Sequence, residues 1–177
     1  MTKFIIIPGL GNSGPEHWQS YFEKSSQDFI RINQHDWDSP KCEDWVETIN
    51  NFLSKYDLSD VILIGHSLGC ATIAHWAAKY NKTIKGAMHV APSDVEAPKY
   101  TESFPTSGFA PMPLIKLNFK TIVVASGNDE WVSLERAKFF AENWGSEFIN
   151  IGNAGHINVS AGYGKWDRGF EILKTFG

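Results

Sequence analysis

Six short runs of consecutive apolar residues, many of them β-branched, alternate with stretches of helical periodicity along the chain. Several of these runs are apolar at successive positions rather than at every second one, which is typical of strands buried on both faces of a sheet. Strands and helices in alternation predict a three-layer α/β fold with a mostly parallel sheet and helices on both sides. The predicted strands are residues 4–7, 28–32, 61–64, 84–90, 121–125 and 147–151.

The helical stretches carry signals for their own ends. For the helix that includes residues 45–56, Ser39 is the predicted N-cap and Pro40 the first helical residue. For the helix over residues 134–144, Ser133 is the predicted N-cap and Gly145 the stop. Two further helices are predicted, one over residues 68–79 and one that opens at residues 15–18.

Length and charge limit the classes of protein that this chain fits. The 177 residues predict a single domain over residues 1–177. A net charge of −4 and a pI near 5.8 disfavour binding to nucleic acid or to an anionic membrane surface. Two cysteines are too few for a disulfide framework or for the ligands of a structural zinc site. We therefore expect a cytoplasmic protein with reduced thiols.

Residues 61–78 contain no charged side chain and approach the minimum length of a membrane span. Their middle, however, reads Gly65-His66-Ser67-Leu68-Gly69, and two glycines around a polar pair suit a strand, a tight turn and a helix better than a helix in lipid. We therefore predict no membrane span.

The same five residues fit the pattern G-x-S-x-G between a predicted strand and a predicted helix. In that context the pattern indicates a nucleophile elbow, a strained turn that exposes a serine at the top of a sheet. Any side chain at position 65 or 69 would collide with the adjoining strand or helix, so glycine is a steric requirement. Ser67 is the predicted nucleophile, at a helix N-terminus that favours a developing oxyanion.

A serine nucleophile needs a base, and His156 has the most suitable position. It follows the last predicted strand, and ligands bind at the carboxyl ends of strands in such sheets. The ring of His66 should point away from the Ser67 hydroxyl, because His66 lies within the turn itself. Structural roles are predicted for His35, His75 and His89.

The base in turn needs a carboxylate to fix its tautomer, and Asp129 follows the predicted strand 121–125 at the same edge. Glu130 is a rival that would require a rotated turn. Asp94, which follows the strand ending near residue 90, is a second rival.

An oxyanion hole needs two backbone N–H donors. Leu68, next after the nucleophile, and Leu10, in the loop after the first strand, are the predicted donors, with Gly11 as a substitute for Leu10. Further candidates line a substrate pocket or only pack into the core: Gly11, His17, Trp18, Tyr100, Phe104, Phe109 and Trp131.

The loop after the first strand also carries a competing signal. Gly9, Gly11 and Gly14 fit the dinucleotide-binding pattern G-x-G-x-x-G, and Asp36 lies at a suitable distance for a ribose contact. Pro15 removes a backbone donor from the turn that would face pyrophosphate, and the chain is short for a Rossmann unit plus a catalytic domain. A dinucleotide-binding protein therefore remains the weaker alternative.

Residues 91–118 break the alternation. They hold five of the eight prolines and several aromatic residues. An ordered irregular segment of this length usually has a use, so we interpret it as a wall or partial lid over a site. The alternative is a surface excursion that pins its aromatic side chains into the core.

Four blocks resemble those of the small serine hydrolases that include the retinoblastoma-binding hydrolase. They are residues 4–18 (FIIIPGLGNSGPEHW), 65–69 (GHSLG), 124–131 (VASGNDEW) and 152–158 (GNAGHIN). The resemblance covers nearly the whole chain and implies a compact α/β-hydrolase with a shortened sheet and no large cap. Ser67 then matches the family nucleophile, Asp129 the acid and His156 the base. The chain order serine, aspartate, histidine is also that of α/β-hydrolases.

The pocket-protein motif L-x-C-x-E is absent, because the nearest approach, residues 68–72, lacks the glutamate. We therefore expect no retinoblastoma-type partner. The expected function is hydrolysis of a small ester, thioester or amide through an acyl-enzyme, with esters favoured over peptides and with no cofactor or metal. We expect a monomer or a weak homo-oligomer. The alternative from another class is a binding protein that has kept the fold and lost turnover.

Overall fold

A single six-stranded parallel sheet forms the centre of the computed structural model, which describes residues Met1–Gly177. The strand order is β2-β1-β3-β4-β5-β6, so β1 and β3 to β5 are interior strands. All six predicted strands are confirmed, with ends that differ by no more than two residues. The strands are β1 Lys3–Ile7, β2 Phe29–Arg31, β3 Val61–His66, β4 Gly86–Val90, β5 Lys120–Ala125 and β6 Glu147–Asn150.

Six helices complete the fold, and they cover both faces of the sheet. They are α1 Trp18–Ser25, α2 Cys42–Leu53, α3 Leu68–Tyr80, α4 Pro98–Ser103, α5 Leu134–Trp144 and α6 Asp167–Lys174. Ile5, Ile7 and Leu63 pack in one core cluster with residues of α2, α3 and α5. Ile6 and Ile62 pack in a second cluster with residues of α1 and α6. Successive strand residues point to opposite faces, which is why the strands are apolar at every position.

The predicted ends of α5 are confirmed, whereas the predicted start of α2 is wrong. The Ser133 hydroxyl accepts a hydrogen bond from the Arg136 N–H, and Gly145 ends α5 in the left-handed region at φ 71°. Helix α2 begins at Cys42 rather than at Pro40. Lys41 remains extended because it forms a β-bridge with Ser107, whose carbonyl accepts from the Cys42 N–H at 2.8 Å.

Helix α1 begins at Trp18, the last of the four residues at which the sequence predicts its opening. His17 is its N-cap, and the His17 Nδ1 accepts a hydrogen bond from the Gln19 N–H at 3.2 Å. The uncharged stretch at residues 61–78 forms β3, the turn at Ser67 and most of α3. None of the helices combines the length and the apolar composition that crossing a bilayer requires.

Candidate active site

Ser67 lies in a strained turn between β3 and α3. Its φ of 55° and ψ of −122° are unusual for a residue with a side chain. A Cβ at Gly65 would lie 3.1 Å from the Cys70 nitrogen of α3, and a Cβ at Gly69 would lie 2.2 Å from the Ile7 carbonyl oxygen of β1. Gly69 is therefore a steric requirement, as predicted, and a side chain at Gly65 would press on the backbone of α3.

Asp129 and His156 come from the loops that follow β5 and β6, and three hydrogen bonds join these loops. The Gly127 N–H donates to the Gly152 carbonyl at 2.8 Å. The Ala154 N–H donates to the Ser126 hydroxyl at 2.9 Å, and the Gly155 N–H donates to Asn128 Oδ1 at 2.8 Å. The position of His156 relative to Asp129 is thus fixed by backbone as well as by side chains.

Ser67, His156 and Asp129 form a continuous chain of hydrogen bonds. The His156 Nδ1 lies 2.9 Å from both carboxylate oxygens of Asp129, and the His156 Nε2 lies 2.9 Å from the Ser67 Oγ. The side chain of Asp129 is fully buried, and its Oδ1 also accepts from the Trp131 N–H. Because the carboxylate requires a hydrogen on Nδ1, Nε2 is the acceptor for the Ser67 hydroxyl.

Both rival carboxylates are used elsewhere. Asp94 pairs with Arg136 at 3.0 Å, and Glu130 lies exposed beside Lys99. Asp129 is therefore the carboxylate that contacts His156, and neither rival does.

Ser93 also contacts Ser67, and sequence reasoning missed it. Its hydroxyl is fully buried and lies 2.8 Å from the Ser67 Oγ. The single hydrogen of Ser67 is directed to His156, so Ser93 donates to Ser67. The available signal was its position: Ser93 is the first polar residue after β4, at the same edge of the sheet.

The two predicted oxyanion donors, Leu68 and Leu10, differ from Gly11 in their hydrogen bonding. Leu68 is the first residue of α3, so its N–H precedes the intrahelical bonding pattern. The Leu10 N–H donates no hydrogen bond within the protein, whereas the Gly11 N–H donates to the Trp37 carbonyl at 2.9 Å. Gly11 is therefore not the substitute donor that the sequence suggested.

The loop after β1 packs directly onto the elbow. A Cβ at Gly9 would lie 2.9 Å from the Ser67 Cβ and 3.2 Å from the Leu68 nitrogen. Nothing lies within 4 Å of a Cβ built at Gly11 or Gly14. The first glycine of the dinucleotide pattern thus has a steric role at the elbow.

A cavity of about 200 Å³ opens above Ser67. Its aromatic wall consists of Tyr100, Phe104 and Trp131, and its polar wall consists of Asn12, Ser13, His17 and Asn158. Leu10 also lines the cavity. Of the predicted pocket residues, His17, Tyr100, Phe104 and Trp131 line this cavity, and so does Leu10, the predicted oxyanion donor. Asn12, Ser13 and Asn158 were missed.

Three predicted pocket residues do not line the cavity. Trp18 is fully buried, and its Nε1 donates to the Ile157 carbonyl, so it supports the His156 loop from behind. Phe109 is buried against Trp45 in the core. Gly11 is exposed and directs its N–H to the neighbouring loop, away from the cavity.

The imidazoles of His17, His66 and His156 form a row, with ring centroids 4.8 and 5.0 Å apart. Burial lowers the pKa of His17 to about 4, and the positive charge of Arg31 adds to this effect. Burial also holds the pKa of His66 well below its usual value, and its Nε2 donates to the His156 carbonyl at 2.9 Å. Both rings are neutral at pH 7, and the ring of His66 is directed away from the Ser67 hydroxyl, as predicted.

Comparisons with known proteins show the family and the fold. The family model described as serine hydrolase matches residues 4–175. No curated protein matches the chain significantly. A YdeN-like hydrolase from Pectobacterium atrosepticum is 34% identical, with a TM-score of 0.87 over 99% of this chain and 90% of that chain.

Two more distant structures share the fold. The ydeN gene product of B. subtilis is 18% identical, with a TM-score of 0.84 over 99% of this chain and 98% of that chain. Est1E from Butyrivibrio proteoclasticus, solved with ferulic acid bound, is 15% identical, with a TM-score of 0.68 over 98% of this chain and 90% of that chain. With its α/β-hydrolase fold and a family match over nearly its whole length, the chain belongs to the serine hydrolase family.

Proposed function

We propose that the protein hydrolyses small esters or thioesters through an acyl-enzyme formed on Ser67. His156 takes the proton from the Ser67 hydroxyl as its oxygen attacks the substrate carbonyl carbon, and Asp129 stabilises the resulting imidazolium. The N–H groups of Leu68 and Leu10 hold the oxyanion. His156 then protonates the leaving group, and a water molecule activated by His156 hydrolyses the acyl-enzyme.

One observation carries this proposal: the unbroken hydrogen-bond chain from the Ser67 Oγ through His156 to the buried Asp129. A protein that only binds a ligand does not need a nucleophile aligned with a base and an acid. The N–H of Leu10, a residue that lines the same cavity as Ser67, has no partner in the protein and supports the same chemistry.

The lining of the cavity favours esters over amides that carry a free amine. No Asp, Glu, Lys or Arg lines it. A free ammonium group next to the scissile bond would need a carboxylate partner to offset its desolvation. The carboxylate of Asp129 is buried and is already bonded to His156.

Labelling with a fluorophosphonate tests the proposal. This reagent phosphonylates an activated serine, so wild-type protein should be labelled and Ser67→Ala should not. Ser103→Ala changes an exposed serine of α4 and serves as the matched control, with labelling equal to wild type. Folded wild-type protein that resists labelling would favour a binding protein instead. Hydrolysis of 4-nitrophenyl butyrate should follow the same pattern, with turnover by wild type and Ser103→Ala and none by Ser67→Ala.

A further inference from the structure

The two walls of the cavity differ in chemistry. The aromatic wall is continuous, because the ring of Phe104 lies 4.9 Å from that of Tyr100 and 4.7 Å from that of Trp131. The polar wall consists of side chains whose hydrogen-bonding atoms are partly occupied by the protein itself. The side-chain donors and acceptors that have no partner in the protein therefore determine which hydrogen-bonding groups a ligand should carry.

The acceptor atoms of three polar-wall residues are occupied. Asn12 Oδ1 accepts from the Ser13 N–H at 2.7 Å and from Arg31 at 2.8 Å. Asn158 Oδ1 accepts from the Ser160 hydroxyl at 2.8 Å and from the Ala161 N–H at 3.2 Å. His17 Nδ1 accepts from the Gln19 N–H, so its neutral ring carries the hydrogen on Nε2.

The donors of these three side chains make no hydrogen bond within the protein. They are the Nδ2 amides of Asn12 and Asn158 and the Nε2–H of His17, whose residue is only 5% exposed. Ser13 is the exception, because its hydroxyl hydrogen goes to Gln19 Oε1. The side chains of the polar wall thus offer three donor groups without a partner in the protein, and the Ser13 hydroxyl oxygen is their one free acceptor.

The two walls also adjoin different neighbours of the nucleophile. The Ser67 Oγ contacts both His156 and Ser93. Asn158 follows His156 by two residues, and His17 joins His156 through the row of imidazoles, so the polar wall is on the His156 side. The Asp94 N–H, next after Ser93, donates to the Trp131 carbonyl at 3.0 Å, which places the aromatic wall on the Ser93 side.

We propose that the aromatic wall binds the acyl half of the substrate and that the polar wall binds an oxygen-bearing leaving group. This inference rests on the proposed function, because the leaving group is the half that must reach His156 for its proton. The substrate class is therefore an ester of a small apolar or aromatic acid with an alcohol that carries an ether, carbonyl or hydroxyl oxygen.

The volume limits the acyl half. A buried cavity of roughly 150 Å³ accommodates one benzene molecule. A cavity of about 200 Å³ that must also admit part of the leaving group therefore suits a short chain or a single ring. Acyl chains of about twelve carbons should be poor substrates.

A matched pair of butyrate esters tests the polar wall. Butyl butyrate and 2-methoxyethyl butyrate have alcohol halves of equal length, and the second replaces one CH₂ by an ether oxygen that only accepts hydrogen bonds. Asn158→Asp keeps the Oδ1 that caps the Ala161 N–H but removes the amide donors. The alcohol preference is kcat/KM for the methoxyethyl ester divided by kcat/KM for the butyl ester. We expect this variant to lower the alcohol preference about fivefold relative to wild type. The difference in intrinsic reactivity between the two esters is the same for both proteins, so it cancels when the variant is compared with wild type. Any effect of the new charge on His156 is common to both esters and cancels in the ratio.

A second pair tests the aromatic wall. 4-Nitrophenyl acetate and 4-nitrophenyl phenylacetate share a leaving group and differ only in the acyl half. Phe104→Ala should lower the preference for the phenylacetate about tenfold and leave the ratio for the butyrate pair unchanged. Phe139→Ala removes an exposed aromatic of α5 and should leave both ratios unchanged. Thermal unfolding would verify that each variant folds.

The outcomes are distinct. Three results would overturn the assignment of the walls. Asn158→Asp could change the acyl preference, Phe104→Ala could change the alcohol preference, or both variants could leave both ratios unchanged. Absence of Ser67-dependent fluorophosphonate labelling would instead overturn the proposed function. Labelled protein with unaltered ratios contradicts the wall assignment alone.

Discussion

Gly69→Ala should destabilise the protein although alanine is the better helix former. The added Cβ would lie 2.2 Å from the Ile7 carbonyl oxygen and 2.9 Å from the Pro8 carbonyl oxygen, and neither backbone atom belongs to a flexible side chain. Relief of the closer contact requires α3 to move away from β1 by about 1 Å, since contacts of this kind below about 3.2 Å are repulsive. Strand β1 is bonded to strands on both sides and cannot yield easily.

The magnitude follows from two opposing terms. Replacing glycine by alanine inside a helix gains about 1 kcal/mol. Overpacking costs about 1–3 kcal/mol, and the upper end applies here because backbone must move. We expect a net loss of about 2 kcal/mol in the free energy of unfolding, which lowers Tm by about 4–8 °C for a chain of this size. The same movement displaces Ser67 from His156, so fluorophosphonate labelling should slow about 100-fold.

Gly14→Ala is the matched control for this prediction. Gly14 lies in the same region, but a Cβ built there has no neighbour within 4 Å. Its Tm and its labelling rate should therefore stay close to those of wild type. Differential scanning calorimetry and timed labelling measure both properties. If Gly69→Ala were no less stable than Gly14→Ala, the steric account of the elbow would be wrong.

Three further predictions concern single side chains. Asp129→Asn should lower kcat by about 10⁴ with little change in Tm, because the amide no longer fixes the His156 tautomer; unchanged ester turnover would refute this. Ser93→Ala should lower kcat about three- to tenfold without changing KM, because Ser67 loses a hydroxyl donor, and Ser93→Thr should restore most of the loss. Burial lowers the pKa of His89 to about 3, so below pH 6.5 the unfolded chain binds a proton that the folded protein does not. His89→Leu should therefore gain about 1.4 kcal/mol of stability relative to wild type for each pH unit from pH 6 to pH 4, measured by urea unfolding at each pH.

The sheet could be predicted from the sequence because burial on both faces leaves a simple pattern. A strand such as β3 is apolar at almost every position, and its neighbours in the chain supply the turn signals. The start of α2 could not be predicted in this way. Its position depends on the β-bridge between Lys41 and Ser107, which are far apart in sequence. A local capping signal at Ser39 was thus overridden by a tertiary contact.

The same distinction applies to the site. Ser67, Asp129 and His156 each follow a strand, so the parallel sheet alone brings their backbone positions to one edge. The pocket residues depend instead on the direction of individual side chains. Trp18 lies one residue from His17, yet His17 lines the cavity whereas Trp18 is fully buried beneath the His156 loop. No spacing rule separates the two before the helix start is known.

Residues 91–118 combine the two interpretations that the sequence left open. Tyr100 and Phe104, on and just after α4, form part of the aromatic wall, whereas Phe109 is buried in the core. Between and beyond them the segment is attached to the body of the protein: Ser107 forms the bridge with Lys41, and His75 of α3 donates to the Phe109 carbonyl at 2.8 Å. Because the segment is held at these two points beyond its aromatic residues, we interpret it as a fixed wall rather than a lid that opens. A fixed wall selects substrates by shape before the chemistry begins.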